Sequence, residues 1–408
     1  MRELTAAQAL LLQALGTALR GESAAWSEEI PEENWTELVS LSTAHKVLPL
    51  VAEAVYTSPA AARYSGMPQL KRMTVGQVMA QSAKTYEFLS LYDTLVARGL
   101  HPLVVKGIVC RSLYPNPDHR ISGDEDLYVP EGEFEACCEI FRELGMTPGT
   151  EDMAAFEIGW RKVGSPLYIE LHKHLFGPED SAYGQLAALF DHSRERIASY
   201  TVEGGRQVSS LCPHDHGLYL LLHAYKHFLY SGFGIRQVCD IGMWLARYAG
   251  SIDWQRLYDQ CSQTRTLIFS AAVMRIAQEY LGIRLELPSN WAAIETDCLP
   301  MLKDLLAAGV YGTADLSRQH SAVMTLGAVE AQRGNKRPGI GAALFPPKEK
   351  LEGRFPVLKK KPWLLPVMWC VRLAKYGVET AQKDSNTAET LQVAKERIAL
   401  LRQYKIIE

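Results

Sequence analysis

The spacing of apolar residues changes twice along this chain, and that change constrains the fold more than any other feature. Up to residue 98 apolar residues recur every three or four positions, as in NWTELVSLSTAHKVLPLVAEAVY and LKRMTVGQVMAQSAKTYEFLSLYDTLVARGL. This is the spacing of a helical face. The second stretch closes at Gly99, with Pro102 just beyond, the residue types that end helices. PLVVKG then reads as a strand, being too short for a helix and rich in β-branched valine. IVCRSLY reads as a brief helix stopped by PNPD, and DEDLYVP as a strand that Pro130 terminates. GEFEACCEIFRELGM reads as an amphipathic helix capped by Gly145. FEIGWRKVG and SPLYIELHKHLF read as two strands joined by a Gly-Ser-Pro turn.

Helical spacing returns at CPHDHGLYLLLHAYKHFLYSGFG, where Pro213 and Asp215 make a helix start. The expected organisation is a helical region over 1–98, a mixed core over 99–205, and a helical domain over 206–320. A tail over 321–408 follows, with the loop KRPGIGAALFPPKEK, the basic-aromatic stretch RFPVLKKKPWLLPVMWCVRLAKYG and a final helix in NTAETLQVAKERIALLRQYK. No internal repeat is visible. A strand–helix–strand–helix–strand–strand core between helical flanks predicts an α/β or α+β fold.

Charge narrows the partners. The chain carries 43 basic and 46 acidic residues, a net −3, without the basic excess that tight, sequence-independent nucleic-acid binding needs. Pro362 and Pro366 break the basic-aromatic stretch, so it is expected to pack as an arm on the core with solvated lysines. Eight scattered cysteines, with no CxxC pair, point to reduced thiols in a cytoplasmic protein. Glu3 and Gln13 interrupt the apolar run near the N-terminus, which reads as a first amphipathic helix rather than a signal peptide. No run reaches the roughly 18 apolar residues of a membrane span, so no transmembrane segment is expected. Nothing in the pattern fixes an oligomeric state.

RISGDEDLYVP places three acids side by side at the mouth of a strand. Alternation puts Asp124 and Asp126 on one face and Glu125 on the other, with Leu127 and Val129. Two carboxylates on one face raise each other's pKa unless a cation neutralises them. In PLYIELHKHL, Glu170 shares a face with Tyr168 and His172 in an otherwise apolar strand. If this strand lies beside the first, Glu170 joins Asp124 and Asp126, a set able to hold two divalent ions. A solvated turn with an edge-strand glutamate remains the alternative.

VVKGIVCRSLYPNPDHRISGDEDLYV, followed by YIELHKHL and LLLHAYKHFLYSGFGIRQVCDIGMWL, resembles the uncharacterised nucleotidyltransferase family of the polymerase-beta-like superfamily. The resemblance covers residues 100–250, and the helical flanks more loosely. It implies an α+β fold, a small mixed sheet flanked by helices, with N- and C-terminal helical regions. It also implies a Mg²⁺ site, with Mn²⁺ as the other candidate, on Asp124, Asp126 and Glu170. In that reading the two aspartates bind both ions, and Glu170 serves as general base. Two departures stand out. The usual Gly-Ser or Gly-Gly is here Lys106-Gly107-Ile108, and the usually apolar residue between the aspartates is Glu125.

Lys106 is expected to turn toward the carboxylates and supply the charge that the missing serine does not. Gly107 is expected to offer its N–H to a phosphate, and Arg120 to contact phosphate oxygens or else pair with Asp118 or Asp124. Ser122 and His172 complete the expected nucleotide contacts. His223, Lys226 and His227 are expected to line the substrate side from one helical face, without a third ligand for a transition metal. Arg236 and Asp240, four apart, read as a helix-supporting ion pair. The expected activity is Mg²⁺-dependent transfer of a nucleoside monophosphate from an NTP to a hydroxyl on an unknown small-molecule, protein or tRNA acceptor. A non-catalytic nucleotide- or protein-binding scaffold on the same fold is the alternative.

Overall fold

A computed structural model describes residues 4–309 apart from 28, 151, 153–154, 178–183 and 231, together with 325–326, 328–329, 348–351, 355, 357–369, 371 and 387–408. The N-terminal third is helical: α1 (Ala6–Leu19), α2 (Glu32–Ala44), α3 (Leu48–Val55), α4 (Pro59–Arg63) and α5 (Met67–Ala97). Thr5 and Gln8 cap α1 reciprocally, each side chain accepting the other's backbone N–H. At the end of α5, Gly99 takes φ +80° and the Leu100 N–H donates to the Leu95 carbonyl. That left-handed turn favours glycine and satisfies a carbonyl that the helix leaves orphaned.

The core sheet runs β1 (Leu103–Val105), β2 (Glu125–Tyr128), β3 (Thr147–Pro148), β4 (Glu157–Arg161) and β5 (Tyr168–His172) along the chain. In space the order is β1-β2-β5-β4-β3, and only β2 and β5 are parallel. A parallel pair needs a crossover. Here it comprises α7 (Glu131–Glu143), with β3 and β4 paired on beyond β5. Phe134, Cys137, Cys138, Ile140 and Phe141 form the buried stripe of α7, and Phe141 meets Trp160 of β4 edge-on at 5.3 Å. The short α6 (Gly107–Arg111) joins β1 to the acidic loop, and α8 (Gly184–Ala187) follows β5. The arrangement is α+β, with a small mixed sheet and flanking helices.

Three strands were not expected. β3 is a two-residue edge strand, and β6 (Ile197–Thr201) and β7 (Gln207–Leu211) form a separate antiparallel hairpin. The hairpin is tied to the core through side chains: the Ser210 hydroxyl donates to the Val104 carbonyl, and the Ser209 N–H to Tyr92 Oη.

Helices then close over the sheet: α9 (Pro213–Tyr230), α10 (Ile235–Arg247), α11 (Trp254–Gln263), α12 (Leu267–Glu279), α13 (Ser289–Ala292) and α14 (Leu299–Ala308). A last helix, Thr387–Gln403, returns to this body, where Arg397 donates to the Phe228 and Tyr230 carbonyls at the end of α9. Beyond it, the Tyr404 hydroxyl donates to the Asp297 carbonyl and accepts the Met301 N–H. Most of KRPGIGAALFPPKEK and the end of the basic-aromatic stretch lie outside the described residues. Among the described residues no helix is long and apolar enough to cross a membrane.

Candidate active site

The parallel register of β2 and β5 sets Asp126 opposite Glu170, with Leu127 opposite Leu171 and Tyr128 opposite His172. Side chains of like parity share a face, so the Asp126 and Glu170 carboxylates and the His172 imidazole converge. One ligand atom from each of the three lies within 4.8 Å of the others. His172 Nε2 is 3.2 Å from Asp126 Oδ1, and its Nδ1 is 3.4 Å from Glu157 Oε2. Asp126 Oδ2 is buried and accepts no hydrogen bond. Asp124 stands outside this cluster, just before β2, where it faces two adjoining cavities.

The two flanking carboxyls are driven apart electrostatically. Burial, reinforced by Asp126 and Asp124, pushes Glu170 up to about 7. Burial would also raise Asp124, but Lys106, Arg236, Lys46 and Arg120 outweigh it and hold this carboxyl at about 2. Near neutral pH one acid is therefore firmly ionised and the other is poised to hold or release a proton.

Lys106 reaches the cluster through Asp126. Its Nζ is 2.9 Å from Asp126 Oδ1 and 2.9 Å from His223 Nε2. Burial opposes its charge, yet Asp126 above all, then Tyr219, Asp124 and Glu170, keep the ammonium well above its ordinary range. The backbone of Lys106 takes φ 60° and ψ −132°, a strained conformation for a side-chain-bearing residue. His216 on α9 holds it there: its Nε2 accepts the Lys106 N–H at 3.1 Å. The proton therefore resides on Nδ1, 3.1 Å from the Ser210 hydroxyl that donates to Val104. Burial and then Lys106 press His216 down to about 3, so the ring stays a neutral acceptor. His216 carried no signal in the sequence, because its partner is 110 residues away.

Glu125 accounts for the third acid of the run. Its side chain points away from the cluster and is fully buried, where it pairs with the equally buried Arg111. It also accepts the Ser122 hydroxyl at 2.8 Å and the Ile108 N–H at 2.9 Å. Glu125 thus anchors α6 from below, and Gly107 is required because a Cβ there would collide with Glu125 Oε2. Strand parity had placed Glu125 among apolar residues, and a buried acid must find a partner. Arg111, the cation in IVCRSLY, was the legible candidate.

A family model described as an uncharacterised nucleotidyltransferase matches residues 31–282. The chain belongs to this family. No curated protein and no solved structure matches it. The match embraces β1, β2 and β5 and the helices α9 and α10 that face them, so the whole cleft of this nucleotidyltransferase lies within it.

Over the cluster lies a cavity of about 360 Å³, lined by Glu157, Glu170, His172, Lys226 and His227 among others. His223 lines both this cavity and the adjoining small one. His223 and His227 stack edge-on at 4.5 Å. Burial first, and Lys106 next, lower both rings, His227 to about 3. Among the described residues they join no trio of ligating side chains.

Three expectations need correction. Asp240 does not pair with Arg236: it takes Arg120 through Nε at 3.0 Å and Nη2 at 2.6 Å, and also accepts the Tyr114 hydroxyl. Arg120 therefore pairs with neither Asp118 nor Asp124; Asp118 instead receives the Ser82 and Thr85 hydroxyls. The Ser122 hydroxyl, expected at the nucleotide, is committed to Arg111 and Glu125 inside the loop. In the first two cases a buried charge took the partner that packing placed nearest rather than the one nearest in sequence. Gly107 and Arg120 do line the small cavity, but the N–H of Ile108 is already spent on Glu125.

Proposed function

We propose that this nucleotidyltransferase transfers a nucleoside monophosphate from an NTP to a hydroxyl-bearing acceptor. The observation that carries the reading is the register pairing of Asp126 with Glu170, which sets two carboxylates side by side where two cavities adjoin, Asp126 on the small one and Glu170 on the larger.

The donor set suits a hard divalent cation: carboxylate oxygens, with Asp126 Oδ2 buried and unused and one imidazole nitrogen within reach. Asp126 and Glu170 would hold Mg²⁺, with Asp124 beside the cluster rather than in it, and His172 makes Mn²⁺ an acceptable substitute. When bound, such an ion supplies positive charge to the phosphoryl oxygens.

The rest falls to the chain's own residues. The acceptor oxygen attacks the α-phosphorus as its proton passes to a Glu170 carboxylate oxygen, which lines the larger cavity. The bond from the α-phosphorus to the bridging oxygen breaks, and pyrophosphate leaves with the electron pair. Lys106, fixed in charge, neutralises Asp126 and the growing negative charge on the phosphate chain. Glu157, Lys226 and His227 border the space for the acceptor, mixed in charge and too small for a nucleic-acid duplex. A small polyhydroxylated molecule or a single protein or tRNA terminus fits this better than a template.

The test is incubation with each NTP, Mg²⁺ or Mn²⁺ and a cell extract, followed by mass spectrometry of the products. A nucleoside monophosphate adduct formed by the wild type and absent with Asp126→Asn supports the reading. Absence of any adduct and of any pyrophosphate release, with every NTP, removes it.

A further inference from the structure

Arg236 is left over when the buried charges of the cleft are paired. Its neighbour one helical turn on, Asp240, is saturated by Arg120 and Tyr114. Arg236 is only 4% exposed and makes no contact ion pair among the described residues, although its charge helps keep Asp124 and Asp240 ionised from farther off. Its Nη1 donates to the Ile121 carbonyl, and its Nε is buried without a partner. A guanidinium taken out of water with most of its five donors unspent is costly unless an anion comes to meet it.

The place into which it points is informative. Arg236 lines the small cavity together with Lys106, Gly107, Arg120, Asp124 and Asp126. That cavity, of about 30 Å³, has room for one or two phosphate oxygens, so a phosphate group would meet Arg236 by its oxygens while the nucleoside stays outside. Glu170, His172 and Lys226 line the larger cavity and not this one. Asp124 borders both cavities, so the proton acceptor opens onto one of them and Arg236 onto the other. In-line displacement at phosphorus requires this division, since the attacking and leaving oxygens lie on opposite sides of the transferred group.

We propose that Arg236 binds the terminal phosphates of the nucleoside triphosphate and receives the departing pyrophosphate. The inference rests on the nucleotidyltransferase reading of the site and deepens it by assigning the leaving-group side. A planar fork of donors suits a pyrophosphate, which offers several oxygens at once. Arg236 then selects triphosphates over monophosphates, because only the former reach it.

The test is calorimetric titration of wild type, Arg236→Gln and Arg236→Lys with Mg²⁺–NTP, Mg²⁺–NMP and inorganic tripolyphosphate, with a thermal melt to confirm folding. Arg236→Gln is expected to weaken NTP and tripolyphosphate by roughly tenfold or more while leaving NMP within about twofold. Arg236→Lys should recover part of the loss. Equal weakening of NMP and NTP, or none of either, overturns the proposal and leaves nucleotide transfer standing. Wild-type protein alone also decides: NMP bound as tightly as NTP overturns the assignment even if no variant folds. If wild type binds neither NTP nor tripolyphosphate, the nucleotidyltransferase reading falls with it.

Discussion

Lys106 and Asp126 meet at 2.9 Å across adjacent antiparallel strands, on a lysine whose backbone is held at positive φ by His216. The ammonium is the fixed cation of a site otherwise rich in carboxylates, and a strained main chain is what aims it there. Because β1 pairs Val105 with Asp126, an ordinary extended residue at 106 would send its side chain past the cluster. Strain at this one position is repaid by a charge at the acids.

Replacing Lys106 with Met should therefore do two things. It strands Asp126 as a buried, uncompensated charge, which costs about 3–5 kcal/mol. Because a divalent ion would neutralise the same carboxylate, Mg²⁺ should raise the melting temperature of Lys106→Met more than that of the wild type. Equal Mg²⁺ shifts, read by differential scanning fluorimetry, would show that Asp126 holds no ion.

Glu170→Gln keeps the shape and hydrogen-bonding capacity of the side chain but cannot take a proton. We expect an intact fold, with kcat for adduct formation down by about 10²–10⁴, the usual worth of a general base. Single-turnover assays with labelled NTP measure this. A kcat within a few-fold of wild type would move the proton-accepting role to another group, with His172 the nearest.

Glu125 and Gly107 form a structural pair beneath the site, and both should tolerate change poorly. Glu125→Ala leaves the buried Arg111 unpaired, a loss of about 3–5 kcal/mol. Gly107→Ala should also destabilise, since the new methyl would meet Glu125 Oε2. Urea unfolding followed by circular dichroism reports both. A near-normal midpoint for Glu125→Ala would refute the anchoring role of this residue.

Acid should destabilise the fold through buried neutral histidines before it protonates Asp124. His45 bridges α10 to α14, with Nε2 on the Leu306 carbonyl and Nδ1 toward the Ile235 N–H, and burial lowers its pKa to about 4. The unfolded chain takes up this proton near pH 6.5, so stability is full above that pH and falls as pH drops toward 4. The His45 contribution is on the order of 3 kcal/mol. His216 acts in the same sense down to about 3. Asp124, lowered to about 2, adds a loss only below its ordinary value of 3.8. Glu170, raised to about 7, acts in the opposite sense between pH 7 and 4.5, so the His45 share is read as the difference: urea midpoints at pH 8, 6 and 5 should fall more in wild type than in His45→Gln.

By itself the sequence determined the local elements and the faces they present. Apolar spacing marked the helices, a β-branched run marked β1, short runs bounded by turn residues marked β2 and β5, and alternation alone put Glu125 on the opposite face from Asp126 and Glu170 on the same face as His172. These are properties of a few consecutive residues, so they can be read in one dimension. The family resemblance added which strands would lie together. Tertiary structure decided the partners of buried charges. Arg120 found Asp240 across 120 residues, Lys106 found His216 across 110, and Arg236, four residues from a carboxylate on its own helix, was left without it. A buried ion is satisfied by whatever packing brings within about 3 Å with the right geometry. That proximity arises only when helices α9 and α10 close over the sheet.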